Sequence, residues 1–308
     1  MNFASDNVFG VHPRIIEALL TANAGTAVSY GADEWTRRAE QRLGEVFERE
    51  VSAFLVVTGT AANALAVSAM VPPYGALLCH AGAHIMVDEC GAPELFTGGA
   101  KLIGLDEPGG KITAKAIERT LDGFIRGEHD PKPAAISITQ ASELGTVYAP
   151  AEIEAIAELA RRRGMRLHMD GARFANALVS LAVTPAEATW KAGVDAMSFG
   201  ATKNGAMALE AVVFFDQDLA EDFRYRRMRA GQLLSKGRFL GAQMLAYLDG
   251  DLWLDNARHA NAMAQRLAKG VAASTRARLA LPAEANEVFA VIPQALHDEL
   301  AKAGVTYH

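Results

Sequence analysis

The sequence has few of the features that mark specialised classes of protein. It contains only two cysteines, Cys79 and Cys90, too few for a disulfide framework or a four-cysteine zinc site. We therefore predict two reduced thiols in a cytoplasmic protein without a metal site. The N-terminal stretch MNFASDNVFG lacks a basic start followed by an apolar run, so no signal peptide is predicted. No apolar run approaches the ~18 residues of a membrane span, and we predict no membrane association.

Glycine, proline and excess charge are also limited. The 27 glycines and 11 prolines among 308 residues exclude a low-complexity chain. Acidic residues outnumber basic ones by 36 to 30, and this balance argues against general nucleic-acid binding, which needs clustered cations. Half of the residues are apolar and 21% are charged, as is typical of a folded globular protein.

Short apolar runs alternate with helical patterns along most of the chain. The clearest helix is predicted over 151–163, where Pro150 precedes the first turn and Gly164 follows the last. This alternation predicts an α/β fold, with a mainly parallel seven-stranded sheet and helices on both faces. The seven strands are predicted at 53–57, 76–79, 101–105, 134–139, 166–169, 195–199 and 211–215.

The pattern changes after about residue 245. Helical periodicity over 253–269 is followed by a strand-like EVFAVI, a helix over 294–303 and a strand-like VTYH. We therefore predict a large domain at 1–245 and a small α+β domain at 246–308. Because the chain stops on a predicted strand, which would leave an unpaired edge, we expect the small domain to be incomplete.

Polar residues follow three of the predicted strands, at the edge where α/β sheets bind ligands. Gly59 and Thr60 open a helix and could cradle an anion, although a threonine cap on an ordinary helix has the same sequence. Asp170 could pair with a cationic ligand or with Arg173, or could cap a helix. Lys203 could be a nucleophilic amine in apolar surroundings or a solvated surface lysine.

One ligand satisfies all three groups together. Pyridoxal phosphate has a phosphate for the glycine turn, a ring nitrogen for Asp170 and an aldehyde for Lys203. An aspartate at the ring nitrogen keeps the ring protonated, so that the ring can accept electron density from a substrate carbanion. We therefore predict pyridoxal phosphate as the cofactor.

Six motifs in register carry a family resemblance over essentially the whole chain. They are SDN at 5–7, YGADEWT at 30–36, TGTAAN at 58–63, AHIMVDECGAPE at 83–94, HMDGARFANA at 168–177 and TKNG at 202–205. With these motifs the chain resembles the low-specificity L-threonine aldolases, which are pyridoxal-phosphate enzymes of the aspartate-aminotransferase fold, fold type I. The resemblance implies that fold and a carbon–carbon lyase.

The resemblance also implies a role for particular residues. Lys203 would form the Schiff base with the cofactor, Asp170 would hold the pyridine nitrogen, and His84 would lie on the ring face. Without the resemblance, His84 would be taken for an ordinary histidine with satisfied hydrogen bonds. The cofactor phosphate would be bound by Gly59, Thr60 and Thr202.

Further residues are implied at the edge of the site and between subunits. Arg173 and Ser5 would contact the cofactor or the substrate carboxylate, and Tyr30 would reach in from a neighbouring subunit. The segment 224–238 carries six cations, of which Lys236 and Arg238 would reach the phosphate across the interface. A solvated helix face, or a patch for nucleic acid, are the other interpretations of that segment. The family suggests a homotetramer, a dimer of dimers with shared sites.

Two departures from the family affect the expected chemistry. Glu143 falls near the place where many members have a second active-site histidine. A carboxylate-binding arginine of the family would follow VTYH, where this chain stops. The expected reaction is retro-aldol cleavage of L-threonine, L-allo-threonine and related substrates such as phenylserine to glycine and an aldehyde. The base would be His84 or a water that it orients, with Glu143 as second choice.

Other activities remain open at this stage. The same residues could serve an aminotransferase or a β-eliminating lyase acting on amino acids. A pyridoxal-phosphate fold without catalysis, acting as a binding protein, is the interpretation from a different class.

Overall fold

A seven-stranded sheet forms the centre of the computed structural model, which describes residues 1–308. Its strands are β1 Ser52–Val56, β2 Gly75–His80, β3 Lys101–Leu105, β4 Lys132–Thr139, β5 Arg166–Gly171, β6 Ala196–Gly200 and β7 Glu210–Phe214. Their spatial order is β1-β7-β6-β5-β4-β2-β3. Only β7 runs antiparallel to its neighbours, so the predicted mainly parallel sheet is confirmed. All seven predicted strands are present, with ends that differ by at most two residues.

Twelve helices accompany the sheet and its connections. They are α1 Pro13–Ala22, α2 Glu34–Val46, α3 Gly59–Met70, α4 His84–Val87, α5 Ala92–Thr97, α6 Ala114–Leu121, α7 Pro150–Arg162, α8 Phe174–Leu181, α9 Phe223–Arg229, α10 Arg238–Leu248, α11 Leu252–Ala272 and α12 Gln294–Lys302. Pro150 occupies the first turn of α7, and Gly164 just after it has a φ of +67°. None of these helices combines the length and apolar character needed to cross a membrane.

Helices cover both faces of the sheet, as predicted. Successive strand residues point to opposite faces, so Met197 and Phe199 join one apolar cluster while Ala196 joins the other. The second face is covered by α3, whose alanines allow its backbone to lie close to the strands. This close packing places the first turn of α3 beside the carboxyl ends of the parallel strands.

Two glycines allow the ends of β5 and β6 to come unusually close to the chain that follows β5. A Cβ on Gly200 would lie 2.6 Å from the carbonyl oxygen of Ala172, and a Cβ on Gly171 would lie 2.7 Å from that of Ser198. Side chains larger than hydrogen would push these backbones apart. The glycines therefore fix the spacing between the turn after β5 and the turn after β6.

The C-terminal part is less regular than the sequence suggests. Of EVFAVI only β9 Ala290–Val291 is a strand, and it pairs with β8 Arg278–Leu279. VTYH does not form the predicted strand, because only Thr306 makes an isolated bridge, to Asn2 of the N-terminal arm. The Phe3 amide also donates to the Thr306 carbonyl at 2.7 Å, so the arm lies along this segment. The division into domains at 245 and 246 stays a prediction, and α10 spans it.

We expect Gly200→Ala to destabilise the protein by about 2–4 kcal/mol, because its new Cβ would meet fixed backbone rather than a movable side chain. Urea denaturation measures the change as a lower midpoint. The matched control is Gly270→Ala within α11, where a Cβ meets nothing within 4 Å. That variant is expected to be about 0.5–1 kcal/mol more stable. Equal midpoints for the two variants would contradict the proposed close approach.

Candidate active site

Lys203 lies in a tight turn, Thr202–Asn204, directly after β6. Gly205 closes this turn with a φ of +108°, a conformation that strains any residue with a side chain. The side-chain amide of Asn204 donates through Nδ2 to the Tyr247 hydroxyl and to the Trp253 carbonyl, both at 2.8 Å. These bonds hold the turn while the Lys203 amine itself makes no hydrogen bond or ion pair within the chain.

Asp170 lies at the end of β5 and is buried. Its Oδ1 accepts from the Ala172 amide at 2.9 Å, and its Oδ2 accepts from the Asn63 side-chain amide at 2.7 Å. The alternative of an ion pair with Arg173 does not form, and no cationic side chain pairs with Asp170. A buried carboxylate held by two neutral donors can accept a cationic ligand group.

Asn63 connects Asp170 to a second buried carboxylate. Its Nδ2 also donates to Oε1 of Glu89 at 2.8 Å, and the same oxygen lies 2.9 Å from Nδ1 of His84. The Glu89 side chain is 1% exposed, whereas that of His84 is 37% exposed. The hydrogen bond to Glu89 raises the pKa of His84. His84 is therefore linked to Asp170 through two intervening side chains.

Glu143 lies beside His84 and is anchored through one oxygen. Its Oε1 accepts from the His84 backbone amide and from the Thr139 hydroxyl, both at 2.8 Å. Its Oε2 is buried without a partner. Burial raises the pKa of the Glu143 carboxyl. The structure thus brings a second titratable carboxyl to the His84 side of the site.

Arg173 immediately precedes α8, and its side chain lies between two carboxylates. Its Nε donates to Asp6 at 2.9 Å and its Nη2 lies 3.2 Å from Glu287. Ser5 precedes Asp6 and uses its hydroxyl to accept from the Asn7 amide at 3.2 Å. The short turn Asp6–Val8 packs against the turn of Lys203, so the N-terminal arm reaches the centre of the site.

The start of α3 supplies backbone donors for an anion. The Thr58 hydroxyl accepts from the Ala61 amide at 3.1 Å, so the threonine cap considered from the sequence is present. This cap leaves the N–H groups of Gly59 and Thr60 at the open end of the helix, where they can meet an anion. The Thr202 hydroxyl is engaged by backbone, donating to the Leu209 carbonyl at 3.2 Å.

Three predicted residues, Tyr30, Lys236 and Arg238, lie on two segments of the chain that contact each other. Tyr30 is 54% exposed, and its amide donates to the Ser235 carbonyl at 2.9 Å. Lys236 is exposed, and Arg238 donates to the Gly25 carbonyl at 3.2 Å. None of the three makes a hydrogen bond or an ion pair with Lys203, Asp170 or His84 of the same chain.

Sequence reasoning missed four polar residues of the site. Asn63 and Glu89 belong to the family motifs TGTAAN and AHIMVDECGAPE, which was a signal for them although no role was assigned. Glu287 and Glu210 lie outside all six motifs, so there was no sequence signal for them. Burial raises the pKa of Glu210 to about 7, and this carboxyl accepts from the amide of Ala201 at 3.1 Å, next to the Lys203 turn.

Comparisons with known sequences give one family and two relatives that carry the same name. Residues 2–295 match the sequence profile of a family described as beta-eliminating lyase. Low specificity L-threonine aldolases of a Pseudomonas species and of Pseudomonas aeruginosa are each 44% identical to this chain over 306 residues, which cover 99% of the chain and 88% of each relative.

Solved structures agree with the sequence comparison. The threonine aldolase of Leishmania major superposes with a TM-score of 0.92 at 31% identity, covering 98% of this chain and 87% of the other. An aspartate aminotransferase from Rhodobacter sphaeroides superposes with a TM-score of 0.72 at 15% identity, covering 99% of this chain and 83% of the other, a likeness of fold alone. The predicted fold type I is confirmed.

We expect Glu89→Gln to lower the pKa of His84, because the amide cannot replace the negative charge that now stabilises the protonated ring. An NMR pH titration of the His84 ring protons measures the change. The other histidines provide internal controls, since none of them hydrogen bonds to Glu89. An unchanged His84 titration would show that Glu89 does not set its protonation.

Proposed function

This chain belongs to the beta-eliminating lyase family, and we propose that it is a carbon–carbon lyase that cleaves L-threonine, L-allo-threonine and related β-hydroxy-α-amino acids to glycine and an aldehyde. The observation that carries the proposal is the convergence of Lys203, Asp170 and His84 at one edge of the sheet. The 44% identity to two low specificity L-threonine aldolases supports this reaction.

The site fits pyridoxal phosphate in three respects. Asp170 is a buried carboxylate without a cationic partner, as a protonated ring nitrogen requires. Lys203 is an amine without an ion pair, available to a carbonyl group. A Cβ on Gly59 would meet nothing within 4 Å, so there is open space beside the first turn of α3 for a phosphate. We propose that Lys203 forms the Schiff base.

When bound, pyridoxal phosphate supplies an electron-accepting ring that stabilises the charge left on Cα as the Cα–Cβ bond breaks. Asp170 would pair with the protonated ring nitrogen, and the hydrogen bonds from Asn63 and Ala172 hold its carboxylate in place. The N–H groups of Gly59 and Thr60, together with Thr202, would hold the phosphate.

We propose that Arg173 and Ser5 bind and orient the substrate. The Arg173 guanidinium can donate two parallel hydrogen bonds to a carboxylate, and Ser5 lies next to its partner Asp6. A fixed carboxylate limits rotation of the amino acid and so places its side chain towards one wall of the site.

The β-hydroxyl proton needs an acceptor, and His84 is our first choice. Because Nδ1 faces Glu89, the neutral ring carries its proton there and leaves the Nε2 lone pair free to act as base, directly or through a water. Glu143 is our second choice, since its Oε2 is buried without a partner.

A neighbouring subunit is proposed to complete the site. Tyr30, Lys236 and Arg238 lie on two segments that contact each other and make no hydrogen bond or ion pair with the Lys203 of their own chain, as expected if they serve a partner's cofactor and substrate. We propose a homo-oligomer, built as a dimer of dimers. The cytoplasmic location stays a prediction.

The first experiment adds L-threonine, L-allo-threonine and L-phenylserine to the protein loaded with pyridoxal phosphate and measures glycine and aldehyde. We expect equimolar products from at least one substrate. Lys203→Ala should abolish both turnover and the visible absorbance of the lysine-bound cofactor. The matched control Lys191→Ala removes an exposed lysine paired with Glu48 and should keep both.

Other products would identify other reactions of the same site. Formation of an amino acid from a keto acid such as pyruvate, without aldehyde, would favour an aminotransferase. Release of ammonia with a keto acid would favour β-elimination, the reaction for which the family is named. A spectral response to amino acids with no product would favour a binding protein.

Two substitutions that each remove a titratable group distinguish the bases. We expect His84→Asn to lower kcat by about 10²–10⁴-fold. Glu143→Gln should lower kcat by less than about tenfold, because the amide oxygen can still accept from the backbone N–H group of His84.

In the unmodified protein kcat should fall as pH drops through the raised pKa of His84, since a protonated Nε2 cannot accept a proton from the β-hydroxyl. The measurement is kcat against pH. The reverse ranking would assign the base to Glu143.

A further inference from the structure

Arg173 already has two carboxylate neighbours within the chain. Its side chain is 16% exposed and already faces two carboxylates, Asp6 at 2.9 Å and Glu287 at 3.2 Å. These two belong to segments outside the sheet, the N-terminal arm and the loop that precedes β9. A substrate carboxylate that makes two parallel hydrogen bonds to Arg173 needs its Nη2, the nitrogen that faces Glu287.

The backbone that carries Glu287 is firmly anchored. Ala285 is fully buried in a small apolar cluster with Ala177 of α8. Glu284 accepts from the Val147 amide at 2.7 Å. A Cβ on Gly145 would lie only 3.0 Å from Cβ of Glu287, so the two loops are in close contact. Glu287 is therefore held at Arg173 by its loop, and only its side chain can rotate away.

The two carboxylates differ in how strongly they are held. Asp6 has two donors. Its Oδ2 accepts from Arg173, and its Oδ1 accepts from the side-chain amide of Asn286 at 3.0 Å. Glu287 faces Arg173 through Oε1 alone, and its Oε2 is buried without a partner. Because Glu287 has fewer bonds to lose, it is the carboxylate that a ligand can replace.

We propose that Glu287 occupies the place on Arg173 that the substrate α-carboxylate takes, and so acts as an internal competitor that weakens the binding of amino acids. The inference rests on the proposed function, which assigns Arg173 to the substrate carboxylate. It makes Glu287 a determinant of substrate affinity and of product release, since the same carboxylate can displace glycine after cleavage.

The competition should depend on pH. Burial raises the pKa of Glu287 to about 7. The negative charges of Asp6 and Glu143 also raise this pKa, whereas the positive charges of Arg173 and Lys203 lower it. Below that pKa Glu287 is neutral and competes poorly for a cation, whereas above it the carboxylate competes fully. The part of amino-acid affinity that depends on Arg173 should therefore weaken as pH rises from 6 to 8.

The test compares two ligands that differ only in the carboxylate. Glycine and ethanolamine are titrated into the protein loaded with pyridoxal phosphate, and binding is followed by the change in cofactor absorbance. We expect Glu287→Gln to bind glycine about three- to tenfold more tightly at pH 8 and to leave the affinity for ethanolamine unchanged. Glu299→Gln removes an exposed carboxylate of α12 that pairs with Arg276, and it should change neither affinity.

The other outcomes overturn the proposal. Unchanged or weaker glycine binding in both Glu287→Gln and Glu287→Ala would show that Glu287 does not compete. An equal gain for ethanolamine would point to a general loosening of the site. The pH dependence of glycine affinity should also flatten in Glu287→Gln. Failure of the proposed function looks different, because the unmodified protein would then release no aldehyde from any substrate tested.

Discussion

The double donation by the Asn63 amide is the interaction on which the site depends. One nitrogen donates to Asp170 and to Glu89, so two buried carboxylates lie close together without a cation between them. Such an arrangement is stable only while both carboxylates keep their other donors. Since Glu89 also meets His84, the same amide fixes the positions of Asp170 and of the carboxylate that orients the imidazole.

The sheet could be predicted from the sequence because its strands are buried on both faces and therefore appear as apolar runs. Helix α7 could be predicted because Pro150 and Gly164 mark its ends locally. Strand β8 could not, because its two residues leave almost no pattern, and only two residues of the predicted strand EVFAVI pair with it. VTYH has the pattern of a strand, but no neighbouring strand pairs with it beyond a single bridge.

The same distinction applies to the site. Lys203 and Asp170 follow apolar strands directly, so their places at the sheet edge could be deduced from the chain itself. The partners of Arg173 could not, because Asp6 and Glu287 are brought to it by the folding of distant segments. The sequence shows which groups are chemically able to act, whereas only the fold shows which of them are already engaged with each other.

The contact between the N-terminal arm and the C-terminal loop has a consequence for the order of folding. Asp6 and Asn286 are 280 residues apart along the chain, yet they share a hydrogen bond beside Arg173. Closing so long a loop is slow and entropically costly, and the arm is synthesised long before its partner. The sheet can therefore form first, while the carboxylates around Arg173 come together only after synthesis has passed residue 287.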